Sequence, residues 1–248
     1  MTDCDFNFQG ANFIVTGASS GIGRQITEEL AAAGARGLAV ARRSELLEQM
    51  HLANEFVIPG VADVGDYGTL KKVIENFVGQ YGKINGGVYA AGRTGLTVLK
   101  GYDETEARRL MDISFWSGAK FVQICSKRSI CTEGAPFIWV TSVAAQYPVE
   151  GLFAYSGAKA AAEMAVKIFA KELAPRKIRI NSLCPGIIKT AMTEGEEVEK
   201  SIRRYIEKTP LGMGRTADVS GTALYLLSGK SAWMTGSTVT VAGGYTGA

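Results

Sequence analysis

Thr16-Gly17-Ala18-Ser19-Ser20-Gly21-Ile22-Gly23 follows the apolar run Phe13-Ile14-Val15 and leads into a helix-like stretch from Arg24. A strand, a glycine-rich turn and a helix in that order suit a dinucleotide. The turn carries backbone N–H groups up to a pyrophosphate, and the helix N-terminus adds a favourable field for its charge. Glycine is needed where a side chain would block that approach. The spacing is Gly-x-x-x-Gly-x-Gly, and Gly17, Ser19, Ser20, Gly21, Ile22 and Gly23 become candidate cofactor contacts.

Working outward, short β-rich runs alternate with longer helical patterns. The patterning predicts strands over 12–16, 37–42, 55–61, 86–91, 136–142, 179–184 and 238–242. A helical face recurs at Ala158, Ala161, Ala162, Ala165, Ile168 and Phe169, opposite Glu163, Lys167 and Lys171. Strands alternating with helices predict an α/β chain: a parallel, doubly wound sheet covered on both faces. No repeat or linker interrupts it, so one domain is expected over 1–248. The polar stretch 193–208 reads as an insertion over the edge of the sheet.

Composition narrows the function. The chain has 248 residues, 46% hydrophobic and 21% charged, with a net charge of +3 from 27 basic and 24 acidic residues. So small a bias, without a Lys/Arg run, argues against nucleic acid. Cys4, Cys125, Cys131 and Cys184 form no Cys-x-x-Cys pair, and His51 stands alone, so no metal site is expected. A disulfide scaffold is needless at this size, and a reducing cytoplasm is the expected setting. No apolar run reaches ~18 residues, so no membrane span is expected.

In doubly wound sheets the ligand sits beyond the carboxyl ends of the strands, which directs attention to the residues just after each one. Tyr155 and Lys159 open the strongest helix pattern four residues apart, on one face. A tyrosine is protonated at neutral pH, and a neighbouring ammonium favours its phenolate. Such a phenol can exchange a proton with an alcohol or carbonyl oxygen. Ser142 ends a strand upstream, where its hydroxyl can orient the same oxygen. Tyr-x-x-x-Lys alone says little in a chain with nine tyrosines, and Tyr67 with Lys71 repeats it. That second pair lies in a polar helix with Asn54 in the upstream place of the serine, and reads as a surface pair.

These pieces together resemble the short-chain dehydrogenase/reductase family in its compact form, over nearly the whole chain and in the family's order. The resemblance rests on 16–23, Asp63-Val64, Ala91-Gly92, Ser142, Tyr155 with Lys159, Asn181, Pro185-Gly186, Thr190, Thr235-Gly236 and Gly243-Gly244. It implies a seven-stranded Rossmann-like sheet and a nicotinamide cofactor. Tyr155 would be the acid/base, Ser142 would polarise the carbonyl, and Lys159 would lower the tyrosine pKa and hold the nicotinamide ribose. Asp63 and Val64 would border the adenine, and Ala91 and Gly92 the adenosine-side ribose. Pro185, Gly186, Ile188 and Thr190 would flank the nicotinamide, with the carboxamide on Ile188 and Thr190. The stretch 193–208 matches the family's substrate lid. The resemblance also implies a homotetramer, built on 155–173 and 103–127 at one interface and on 238–245 at another.

Cofactor choice has a physical handle. An acidic residue after the second strand would bond the ribose hydroxyls of NAD and repel a 2′-phosphate. Here Ala41 is followed by Arg42 and Arg43, whose charge and forked donors suit a phosphate, so NADP is expected. Three places depart from the family's pattern. Asn-Asn-Ala-Gly reads Tyr89-Ala90-Ala91-Gly92, the relay asparagine reads Ser114, and the acid before the last glycine pair reads Ala242. A serine hydroxyl can bond a carbonyl one turn back and bend a helix, so Ser114 is expected to brace the kink there. The expected activity is hydride transfer between nicotinamide and a ketone or secondary alcohol, first of all a 3-oxoacyl thioester, free or carrier-bound. The alternatives are a specialised ketoreductase for a polyketide, sugar, steroid or xenobiotic, and a non-catalytic NADP-binding protein.

Overall fold

A computed structural model describes residues 6–245, with side chains at all but positions 197 and 199. Cys4 lies outside the described residues. Seven parallel strands form one sheet in the order β3-β2-β1-β4-β5-β6-β7. They are β1 (Asn12–Thr16), β2 (Arg36–Ala41), β3 (Val57–Val61), β4 (Gly86–Tyr89), β5 (Pro136–Val140), β6 (Arg179–Pro185) and β7 (Thr238–Val241). The helices are α1 (Gly21–Ala32), α2 (Ser44–Ala53), α3 (Tyr67–Tyr81), α4 (Glu104–Met111), α5 (Ser117–Cys125), α6 (Phe153–Leu173), α7 (Glu196–Glu207) and α8 (Thr216–Leu227). A five-residue π-helical turn, Asp112–Trp116, joins α4 to α5.

The period-two alternation of each strand builds two cores, one per face. Ile14, Leu38, Val40, Phe137 and Trp139 pack with α3, α5 and α6 through Leu70, Ile74, Phe121 and Val166. Their neighbours Phe13, Val15, Ala39, Ile138 and Val140 pack with α1 and α8 through Ile26, Leu30, Val219 and Ala223. Small residues make room for large ones. A Cβ on Gly86 would lie 2.8 Å from the Phe13 ring, one on Gly87 3.0 Å from Phe121, and one on Gly118 2.1 Å from Trp139.

All seven expected strands are present, with ends that shift by one or two residues. β4 stops at Tyr89 because the amides of Ala90 and Ala91 turn away and donate to Thr16 Oγ1 at 3.1 and 3.2 Å. β3 starts late because Asn54 Oδ1 accepts from the Phe56 amide. Within 193–208 the chain forms α7. The order of strands reverses between β1 and β4, and that fork is where a crevice opens beyond the strand ends.

Candidate active site

The glycine turn lies at this fork. Gly17 has φ +68°, and a Cβ there would meet the backbone of Ala90 and Ala91 at 2.8 Å. A Cβ on Gly23 would meet the Gly17 carbonyl oxygen at 2.5 Å, so this glycine lets α1 close on β1. Gly21, at φ +57°, faces Thr190 across a gap in which a Cβ would sit 3.3 Å from Thr190 Cγ2. At the start of α1 the Ser20 side chain caps no amide, and the first turn carries no acid. Its N–H groups therefore remain available to an anion.

At the end of β5 three side chains converge. Ser142, in extended backbone, accepts from the Ala144 amide at 3.2 Å and opens a single 3₁₀ turn. Tyr155 and Lys159 come from the first turns of α6. Lys159 is buried and donates to the Val140 carbonyl at 2.9 Å. Its Nζ lies 5.7 Å from the centre of the Tyr155 ring, and a Cβ on Gly92 would be 3.5 Å from it. Burial pulls the Lys159 pKa down from 10.5 to about 8.

The Tyr155 phenol is desolvated. Burial raises its pKa above 10.0, and the adjacent Ser142 hydroxyl offsets this only in part. Desolvation dominates at this phenol, and the Lys159 ammonium is turned to the Val140 carbonyl.

Comparison with known proteins gives the site its setting. A family model described as enoyl-(acyl carrier protein) reductase matches residues 17–246. A 3-oxoacyl-[acyl-carrier-protein] reductase of Thermotoga maritima is 32% identical over 241 residues, 95% of this chain and 98% of that one. The chain belongs to the short-chain dehydrogenase/reductase family. Carbonyl reductase [NADPH] 2 of Sus scrofa is 31% identical, covering 96% of this chain and 98% of its own. A crystal structure of a short-chain type dehydrogenase/reductase from Mycobacterium marinum superposes with a TM-score of 0.89 at 30% identity, covering 98% of each chain. As a short-chain dehydrogenase/reductase the chain is an oxidoreductase of a family that binds a nicotinamide cofactor. The glycine cradle, which any Cβ at 17 or 23 would fill, fits that group.

The other residues expected to touch the cofactor are placed as follows. Arg43 lies over the glycine turn, its fork 2.8 Å from both Ser19 Oγ and Ser20 Oγ. Arg42 points outward, with its guanidinium 3.8 Å from Asp63. Val64 and Ile188 are buried, and Gly186 packs so closely on Ala242 that a Cβ would lie 2.8 Å from its Cα. Thr190 accepts from the Met192 amide and is braced by Thr193 Oγ1, which takes its N–H at 3.0 Å. Asn181 is a strut: it donates to the Met234 carbonyl and accepts from the Ser237 amide, tying β6 to the approach to β7. Tyr67 and Lys71 lie far from this cluster in role: Tyr67 sits under Lys120, and Lys71 pairs with Glu75.

The Ser114 expectation is corrected as well. The helix does break there, into the π turn, but the Ser114 hydroxyl is fully buried with no hydrogen-bond partner and braces nothing. A side chain that the sequence reading left aside reaches the turn instead: Tyr89 OH donates to the Ile113 carbonyl at 2.5 Å. A tyrosine in place of a sheet-bracing asparagine was the available signal. Also unforeseen is a cluster of phenols beside Ser142. Tyr245 is buried against Val143 and Cys184 and meets Tyr147 and Tyr205 edge-on, with centroids 5.7 and 6.5 Å away. Tyr205 comes from α7, where Arg204 bonds its hydroxyl and reaches Glu150 at 3.3 Å. Among the described residues no group of three acidic, histidine or cysteine side chains could hold a metal, and no helix is long and apolar enough to cross a membrane.

Proposed function

We propose that this short-chain dehydrogenase/reductase uses NADPH to reduce a ketone to a secondary alcohol, with a 3-oxoacyl thioester as the first substrate to test. The observation that carries this reading is the meeting of Ser142, Tyr155 and Lys159 at the end of β5, beside Gly92 and across from the glycine turn. A bound nicotinamide would supply the hydride. Gly17, Ser19, Ser20, Gly21, Ile22 and Gly23 would hold the pyrophosphate, Asp63 and Val64 would border the adenine, and Ala91 and Gly92 would line the ribose beside it. Lys159 would bond the nicotinamide ribose, and Pro185, Gly186, Ile188 and Thr190 would flank the ring.

Ser142 donates to the carbonyl oxygen and so draws charge onto it. Tyr155, kept protonated by burial, hands its proton to that oxygen as the negative charge forms, and recovers a proton from solvent afterwards. A protonated phenol at neutral pH suits the reducing direction. The relative named carbonyl reductase [NADPH] 2 and the 3-oxoacyl reductase relative support the cofactor and substrate class. The phenol cluster favours a second reading, a compact ketone such as a sugar, because Tyr147, Tyr205 and Tyr245 pack with Val143, the residue next to Ser142. Oxidation of NADPH against 3-oxoacyl thioesters, small sugars, steroids and simple ketones decides between them; no turnover with any ketone would overturn both.

The 2′-phosphate is assigned to Arg43, which lies on the turn, with Arg42 at its rim. Arg43→Ala and Arg42→Ala should each weaken NADPH binding by about 1–3 kcal/mol, the range for charge-assisted hydrogen bonds, and leave NADH nearly unchanged. Fluorescence titration with both cofactors measures this, and a wild-type preference for NADH would refute it.

The chain acts as one dinucleotide-binding and catalytic unit over 1–248, in a cytoplasmic setting, and assembles as a homotetramer. Trp116, Met164 and Ile168 are exposed on the α5–α6 side, where Trp116, Phe169 and Leu173 line an apolar groove. β7 leaves an open sheet edge for the second interface. Light scattering at micromolar concentration should give about four times 26.4 kDa; a monomer mass would refute the assembly.

A further inference from the structure

We propose that Tyr89 is a positioning residue for the reaction: its phenol pins the π turn Asp112–Trp116 and thereby sets the wall against which α6 presents Tyr155 and Lys159. The inference rests on the Tyr155 reading above. A π turn widens the helix and offsets its carbonyls from the regular ladder; here the Ser117 amide reaches back to Asp112. Such a segment has more than one way to close, and something must select one. Ser114 does not, since its hydroxyl is unpartnered. The Tyr89 hydroxyl does, through the Ile113 carbonyl at 2.5 Å.

Three observations make this a built contact. Tyr89 is fully buried and ring-packed, 5.7 Å from Phe121 and 5.8 Å from Trp139. Trp139 in turn stacks on Phe115, which belongs to the turn, and on Phe169 of α6. The phenol, the turn and α6 thus share one aromatic column. Tyr89 also directly precedes Ala90–Gly92, where the backbone is fixed by Thr16 Oγ1 and approaches Lys159 Nζ. One residue therefore joins the backbone beside the lysine to the turn behind α6. Burial drives the Tyr89 pKa far upward, so the phenol stays a donor across the working pH range.

The test is Tyr89→Phe, which keeps the ring and removes the donor. We expect kcat to fall about tenfold or more, with KM and the NADPH Kd within about threefold, the split for a loss felt mainly in the transition state. The pH profile of kcat should shift, and amide hydrogen exchange should quicken within 112–119 while the rest of the chain is unchanged. A kcat within about threefold of wild type with an unmoved pH profile overturns the proposal, whatever happens to Tm; so does exchange that quickens uniformly. Tyr155→Phe is run in parallel. If it retains turnover, the Tyr155 reading fails by itself, and the local exchange pattern then judges the Tyr89 pin alone.

Discussion

Tyr155→Phe is expected to lower kcat at least ~10²-fold while NADPH still binds with near wild-type affinity. The size follows from positioned acid/base catalysis, which contributes about 10²–10⁴-fold. The ring stays, so packing at the start of α6 survives; only the transferable proton goes. Lys159 donates to the Val140 carbonyl independently of the phenol, so it keeps its place. The control is built into the chain. Tyr67→Phe alters the same four-residue spacing, but Tyr67 is 37% exposed and Lys71 is paired with Glu75, so turnover should stay within twofold or about that. Equal losses in the two variants would show that the proton donor lies elsewhere.

The second large effect is on stability and belongs to Lys159. Its pKa in the folded protein is about 8 against an ordinary 10.5. Between those values the unfolded chain holds the proton that the folded one has released, so folding gains stability as pH rises through that window. Below pH 8 the cost of burying the ammonium is present in full, and it comes to about 3 kcal/mol at 1.36 kcal/mol per pH unit. Lys159→Met removes the titration. Urea unfolding of both proteins at pH 7 and pH 10 should show wild type gaining roughly 2–3 kcal/mol on the variant across the window. A stability gap that does not change with pH would contradict the buried, depressed amine.

Much of this was legible in the chain because it depends on local pattern. The strands around 12–16 and 136–142 announced themselves by β-branched and aromatic runs, and the glycine turn by its spacing between a strand and a helix. Gly17 and Gly23 are needed for backbone approach, which is a property of the residue type. What escaped depends on which way side chains turn after the sheet is assembled. Nothing local distinguishes Arg42, facing outward to Asp63, from Arg43, folded over Ser19 and Ser20. Tyr89 meets Ile113 across 24 positions, and Tyr205 meets Tyr245 across forty or so, so neither contact has a short-range signature. At Tyr155 the spacing to Lys159 is visible in sequence, but the depth of burial that raises the phenol's pKa is not.

The tight fits between glycines and rings carry a consequence for how this sequence is free to change over generations. Gly118 and Trp139 are matched in volume, and a methyl added at 118 would lie 2.1 Å from the indole; one at Gly87 would press Phe121 and Phe137 at 3.0 and 3.1 Å, and one at Gly86 would meet the Pro136 carbonyl oxygen at 2.6 Å as well as the Phe13 ring. These positions are therefore inherited as sets. A descendant lineage reaches alanine at 118 only after the indole at 139 has given way to something smaller. Because Trp139 belongs to the column that includes Tyr89 and Phe169, that single exchange reopens the choice of residue at the end of β4 as well.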